Sequence, residues 1–308
     1  MIWPGKDARR QQLDDALFSY AQNVNHLPGL PTAVERDVLS RQMIASIRRE
    51  EYFELIQKRG PISAQRADPK NPIFESELGV VHLLQGGQID EAAWLIFLMV
   101  YFAKPEVEGW ERLRDVYGML GHGRWTWATV SANPGAFTAW MAQNWMNIGG
   151  KFGNHRKYAS IRPDAEIPIG PAIQDYVEWV LAGGGHLQHF ANIVQAAGND
   201  PNVIFDAFYH TIPVKGFGRL ARFDWVSMLG RYGLVPVKAG SAYFHGATGP
   251  ANGAKLLFFN DGKANVSSAQ LQARLDDLDQ HLALGMEVLE DSLCNWQKRP
   301  RIFQHFKG

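Results

Sequence analysis

Apolar residues recur along most of this chain at helical spacing, and few stretches alternate with the period of two that a half-buried strand requires. Residues 7–24 read as a polar helix. Thr32 stands three residues before Glu35, the spacing of a capping box, and Val34 to Gln57 keeps the helical period until Gly60-Pro61 stops it. Pro61, Pro69 and Pro72 mark 61–73 as a loop, and Glu75 to Leu84 as a short helix ends at Gly86-Gly87. Asp90 is placed to cap a helix from Glu91 to Lys104, with Pro105 as its bound. Trp110 to Leu120 follows, then a helix opened by Asn133-Pro134, where proline's fixed φ suits the first turn. The pattern predicts further helices over Pro171 to Leu181, 187–197, 201–210 and 218–232, and one long helix from Ser267 to Trp296. Val235 to Val237 and Leu256 to Phe259 are the weak strand candidates. The expected fold class is mainly α, with helices packed in pairs.

The most apolar run, Ala92 to Ala103, is too short for a bilayer span, which needs about 20 residues. It reads as a core helix, and no membrane partner is expected. With 308 residues and 46% hydrophobic content, the chain can bury a large core. It is read as one helical domain over 1–308, or as two lobes, about 1–150 and 151–308, with a site between them. Lys+Arg and Asp+Glu both total 31, so a generic polyanion binder is excluded and any nucleic-acid contact must use a local patch. A single cysteine, Cys294, leaves no intrachain disulfide and suits a reducing, cytoplasmic compartment. No apolar leader precedes Asp7.

Three glycine-rich segments carry the candidate chemistry. The first is Gly149-Gly-Lys-Phe-Gly-Asn-His-Arg-Lys-Tyr158, in which Lys151, Asn154, His155, Arg156 and Lys157 follow glycines that let successive N–H groups point one way. Such a run suits a phosphate: arginine supplies a planar fork, lysine a point charge. A solvated basic loop is the plain alternative. The second is Val214-Lys-Gly-Phe-Gly-Arg-Leu-Ala-Arg-Phe-Asp224, where Gly216 and Gly218 form a turn into a helix that presents Arg219 and Arg222 on one face, with Asp224 close by. It reads either as a phosphate-binding hairpin or as an ordinary helix start. The third, Gly246-Ala-Thr-Gly-Pro250 with Gly253-Ala254, serves tight helix packing or a second hairpin. Among Trp125, Trp127, Trp140 and Trp145, one or two are candidates to stack on an extruded base. His186 and His189 share helical spacing but lack further ligands, so neither metal nor cofactor is called for.

Together these segments resemble the α-glutamyl/putrescinyl-thymine pyrophosphorylase family, clade 3. The stretches that carry the likeness are Asp90-Glu-Ala-Ala-Trp-Leu-Ile-Phe-Leu98, Gly109-Trp-Glu-Arg-Leu-Arg-Asp-Val-Tyr-Gly118 and Arg124-Trp-Thr-Trp-Ala-Thr-Val-Ser-Ala-Asn-Pro134. Phe152 to Tyr158, Phe217 to Asp224, Gly246 to Pro250 and Leu293-Cys-Asn-Trp-Gln-Lys298 continue it, from about residue 30 to 300. The resemblance implies bacteriophage-type thymine hypermodification: an amine or amino acid displaces pyrophosphate from 5-(pyrophosphoryloxymethyl)uracil in DNA. It also implies a fold like that of helix-hairpin-helix DNA glycosylases, with base flipping. The partners are then DNA carrying pyrophosphorylated 5-hydroxymethyluracil and a small-molecule amine or amino acid. His155, Arg156, Lys157, Arg222 and Asp224 are the catalytic candidates, with Lys151, Asn154, Arg219, Gly216 and Gly218 binding phosphate, and Glu91 and Glu178 as reserve bases. One departure stands out. Where such glycosylases carry an aspartate about twenty residues after the hairpin glycines, this chain reads Lys238-Ala239-Gly240. A glycosylase-like enzyme on modified thymine and a non-catalytic DNA-binding helper are the competing readings.

Overall fold

The structure is a computed structural model that describes residues 3–153 and 159–306. Among the described residues the regular structure is helical throughout, with one isolated bridge between Ser160 and Pro168 in place of any strand. The chain divides into two compact units, residues 1–53 with 239–306, and residues 54–238.

The first unit holds α1 (Asp7–Asn23), most of α2 (Ala33–Gln57), α12 (Gly249–Phe259), α13 (Ser268–Leu282) and α14 (Met286–Trp296). At the start of α2 the Thr32 hydroxyl accepts from the Val34 N–H at 3.1 Å and donates to the Glu35 carboxylate. Leu256 to Phe259, a strand candidate, is the end of α12. The single long helix expected from Ser267 to Trp296 is two. Ala283 (φ 51°) and Gly285 (φ 85°) are left-handed, and the Asp279 carboxylate binds the N–H groups of Leu284 and Gly285 at 2.8 and 3.0 Å. The apolar period runs across this break, which is why the pattern alone did not reveal it. The segment after α14 lies along one face of α2. Arg301 pairs with Glu35 at 3.1 Å, Gln42 donates to the Gln304 carbonyl at 2.9 Å, and Arg49 to that of Phe306 at 3.2 Å. These three α2 positions are seven residues apart, so they share a face.

The second unit is built around α4 (Ile89–Phe102), in which every residue from Ala92 to Phe102 is buried. The unit's other α-helices are, in chain order, α3 (Ser76–Gln85), α5 (Glu111–Tyr117), α6 (Trp127–Ala132), α7 (Pro134–Asn144), α8 (Ile169–Ala182), α9 (His186–Ala197), α10 (Pro201–Thr211) and α11 (Arg219–Arg231). Aromatic rings pack along α4: Phe97 stacks on Tyr176 with centroids 3.6 Å apart, and Trp94 lies against Phe137 and Tyr176. The expected core helix is therefore observed, and no helix among the described residues is long and apolar enough to cross a membrane. Asn133 caps α7 by accepting from the Ala136 N–H at 3.1 Å, as predicted. Helix α6 was absent from the sequence pattern; Thr126 caps it through the Thr129 N–H at 3.1 Å. Val235 to Val237 is an irregular connection, not a strand.

Asp90 does not cap α4, which begins one residue earlier at Ile89. Its carboxylate caps α9 instead, accepting from the His186 N–H at 2.7 Å and from His186 Nδ1 at 3.0 Å. Helix α9 starts behind Gly184 and Gly185, both left-handed, and has no cap from its own flank. The orphan N–H groups of its first turn are thus met by a side chain 96 residues away.

Candidate functional site

The N-terminal end of α4 is a closed polar network. His186 is fully buried, and burial pushes its imidazole down from the ordinary value despite the Asp90 carboxylate. The bond to His186 holds Asp90 below the usual carboxylate range, and burial raises the Tyr176 phenol well above its usual value. Asp90 is therefore the ionised acceptor of the Nδ1–H, and Nε2 accepts from the Tyr176 hydroxyl at 2.9 Å. Both ring nitrogens are engaged. His189, one turn along α9, lies edge-on to Trp179 with centroids 4.3 Å apart. Glu91, next to Asp90 in the chain, accepts from the Tyr117 hydroxyl and from the Trp127 N–H at 2.6 Å, and burial raises its carboxyl. Trp125 and Trp127 are buried here, Trp127 against the His186 ring at 4.2 Å. Trp140 and Trp145 remain half-exposed, with the Arg162 guanidinium 5.8 Å from the Trp145 ring.

The other end of α4 receives the start of the basic run. Gly153 donates to the Phe102 carbonyl at 3.1 Å, and Phe152 stacks on Phe102 at 5.9 Å. Helix α5 clamps the two preceding glycines. Asp115 accepts from the Gly149 N–H at 2.8 Å; Arg112 donates to the Gly149 carbonyl at 3.1 Å and to that of Gly150, and its guanidinium lies 4.6 Å from the Phe152 ring. Gly150 has φ 62°, and a Cβ there would stand 2.8 Å from the Arg112 nitrogen. The glycines at 149 and 150 thus serve close approach to α5, and the Gly149 N–H has a partner within the protein. Lys151 pairs with Glu108 at 2.7 Å, which holds the Glu108 carboxyl below its usual range. Asn154, His155, Arg156 and Lys157 lie outside the described residues.

The second segment forms the turn between α10 and α11. Gly216 is left-handed (φ 71°), and Phe217 is buried against Phe97 and Tyr101 of α4, at 5.6 and 6.2 Å. Gly218 is the N-cap of α11, with no side-chain cap and open space where its Cβ would be. Arg222 folds back to donate from Nε to the Phe217 carbonyl at 3.0 Å, and the Arg219 guanidinium stands 5.0 Å from the Phe223 ring. Asp224 leaves the helix about 200° round from Arg222. Asp224 therefore lies on a different face of α11 from Arg222. Glu178, a reserve base, is exposed and paired with Gln174 at 2.7 Å.

The described start of the basic run, Phe152-Gly153, and Phe217 of the second segment both rest on the C-terminal end of α4. The basic run departs from its C-terminal residue Phe102, and Phe217 packs on Tyr101 one position earlier. Beyond the run, Ile167 lies where a Gly216 Cβ would come within 3.0 Å of it. Glu91 is eleven residues before Phe102, about 16 Å along the helix axis.

The family model described as alpha-glutamyl/putrescinyl thymine pyrophosphorylase clade 3 matches residues 34–308. The chain belongs to this family. Membership makes it an enzyme of thymine modification acting on DNA. No curated protein matches it, and no solved structure does. Three features of this family member were not read from the sequence: Arg112 and Asp115 as the clamp on the basic run, and the Asp90–His186–Tyr176 chain. Asp115 lies within the matching stretch 109–118, but only the tertiary contact gives it a role.

Proposed function

We propose that this enzyme displaces pyrophosphate from 5-(pyrophosphoryloxymethyl)uracil in DNA with an amine or amino acid. The nitrogen lone pair forms a C–N bond to the exocyclic methylene carbon. The C–O bond to pyrophosphate breaks, its electron pair leaving on the pyrophosphate oxygen, and the ammonium proton passes to a base. The base is turned out of the duplex so that this carbon meets the amine away from bulk water.

The observation that supports this reading is that Phe152-Gly153, which lead into the basic run, and Phe217, which precedes Arg219 and Arg222, both rest on the C-terminal end of α4. Positive charge held where an oxyanion develops lowers the barrier most when it is fixed beforehand. His155, Arg156 and Lys157, with Arg222, are assigned to the departing charge. Lys151, Asn154, Arg219 and the Gly216 and Gly218 backbone are assigned to phosphate binding, and Asp224 to proton removal. The glycosylase-like architecture belongs to the same proposal; the α10–turn–α11 hairpin is the local feature that supports it.

The test supplies DNA carrying the pyrophosphorylated base together with candidate amines, and follows pyrophosphate release and the nucleosides by mass spectrometry. Wild-type protein should yield an amine adduct, and Arg156→Ala or Lys157→Ala should slow turnover by about 100-fold. Abasic sites in place of adducts would transfer the reading to a glycosylase, and DNA binding with no chemistry to a helper protein.

A further inference from the structure

We propose that Ala103, at the C-terminal end of α4, is a positioning residue that seats the stem of the basic run, with Arg112 of α5 gripping the same stem from the other side. This rests on the reading that residues 154–157 meet the leaving group, and adds how their entry is fixed. Ala103 has φ 52° and ψ 166°. Two other helices also end on a left-handed residue that is not glycine. Asn260 after α12 (ψ 25°) and Ala283 after α13 (ψ 46°) stand at or near the small left-handed well that L-residues can reach. The ψ of Ala103 carries it out of that well, into a region that is essentially glycine's alone. Such a conformation persists only where the surroundings impose it. The Ala103 N–H donates to the Met99 carbonyl at 2.9 Å, and the next residue, Lys104, is drawn to Glu75 at 3.1 Å. Glycine would take up the same backbone at no steric cost, so the methyl group is what the strain retains.

That methyl lies against the stem. A Cβ on Gly153 would stand 2.6 Å from the Ala103 Cβ and 3.2 Å from the Lys104 nitrogen, so the alanine fills the place that a side chain at 153 would take. Gly153 can then donate to the Phe102 carbonyl at 3.1 Å, and the Phe152 ring lies nearly parallel to that of Phe102, 8° from coplanar. From the side of α5, Arg112 Nε donates to the Gly149 carbonyl at 3.1 Å, a second guanidinium nitrogen donates to that of Gly150, and the guanidinium lies 4.6 Å from the Phe152 ring. Residues 149–153 are thus gripped between the end of α4 and the start of α5, immediately before the run continues at 154. A displacement of about 1 Å in groups that meet a transition state can cost about 100-fold in rate. Ala103→Gly removes the strain and the contact together: the backbone gains an easy conformation and the stem gains room to move.

The experiment measures thermal midpoint, kcat and KM for wild type, Ala103→Gly and Arg112→Lys on DNA carrying the pyrophosphorylated base, and titrates each full-length protein with inorganic pyrophosphate. For Ala103→Gly the midpoint should stand at or above that of wild type, because the strain is relieved. Its kcat should fall about tenfold with KM for DNA unchanged, since the loss is felt where the charge develops. Pyrophosphate should bind more weakly by a similar factor. Function lost without stability is the mark of positioning; an alanine that only supported the fold would lose both or neither. Arg112→Lys keeps the charge but not the fork that spans two carbonyls, and should show the same fall in kcat at unchanged KM. Wild-type kcat and pyrophosphate affinity in Ala103→Gly overturn the proposal, and so does a midpoint that falls in step with activity. If the wild-type enzyme releases no pyrophosphate from DNA, the transferase reading fails by itself. Weaker pyrophosphate binding by Ala103→Gly at an undiminished midpoint then still supports the positioning role, and equal binding overturns it.

Discussion

The start of α11 and the start of α12 look alike in sequence: small residues and glycines, then a helix. In the structure they do opposite work. At α12 the glycines are consumed by packing. A Cβ on Gly253 would stand 2.3 Å from the Leu293 carbonyl oxygen, and one on Gly249 would stand 2.5 Å from Cys294 Sγ. At α11 a Cβ on Gly218 would meet nothing within 4 Å, and Gly216 is needed for its left-handed turn. The start of α9, behind Gly183 to Gly185, is a third solution, closed from a distance by Asp90. The difference teaches that glycine before a helix signals function only where the backbone it frees stays open.

Substitutions at these three helix starts separate the uses, and Gly253→Ala should have the largest effect. The clash is with backbone, which cannot turn aside, so about 2–3 kcal/mol of stability should be lost, read as a fall in the thermal midpoint. A midpoint equal to wild type would mean that α12 and α14 do not pack this closely. Asp90→Ala should cost about 1–2 kcal/mol by uncapping α9, and hydrogen exchange should quicken in the first turn of α9 before the rest of the second unit. Gly216→Ala places a Cβ on a left-handed residue and against Ile167; a loss of about 1–2 kcal/mol is expected, with weaker DNA binding.

A smaller effect should appear with pH. The folded-state pKa of His186 is depressed, so the unfolded chain binds its proton first on acidification. Its contribution is fully present above the unfolded value of about 6.5 and is lost as pH falls below it. Asp90, also depressed, acts in the same sense below about 4. Glu91, raised by burial, acts in the opposite sense, so the readout is the difference between His186→Gln and wild type. The variant should lose less stability than wild type between pH 7 and 5 in chemical denaturation. Parallel curves would mean that the imidazole is not held neutral. The smallest change expected is in the stability of Gly218→Ala, about 0.5 kcal/mol or less, because its φ of −72° and open surroundings accept a methyl group.

The sequence by itself determined the helical class, the core helix at 92–102 and the two cationic segments, because periodicity, caps and charge are local properties of neighbouring residues. It also determined the family, because the likeness holds in order along most of the chain. It misplaced the role of Asp90, merged α13 with α14 across Ala283 and missed α6, because each depends on one cap or one left-handed residue within an unbroken apolar pattern. It named Lys151 and Arg219 but not Arg112 or Asp115, which gain meaning only from what lies beside them. Tertiary structure alone decided which glycines were packing surfaces and which were turns, since that depends on what occupies the space where a side chain would stand.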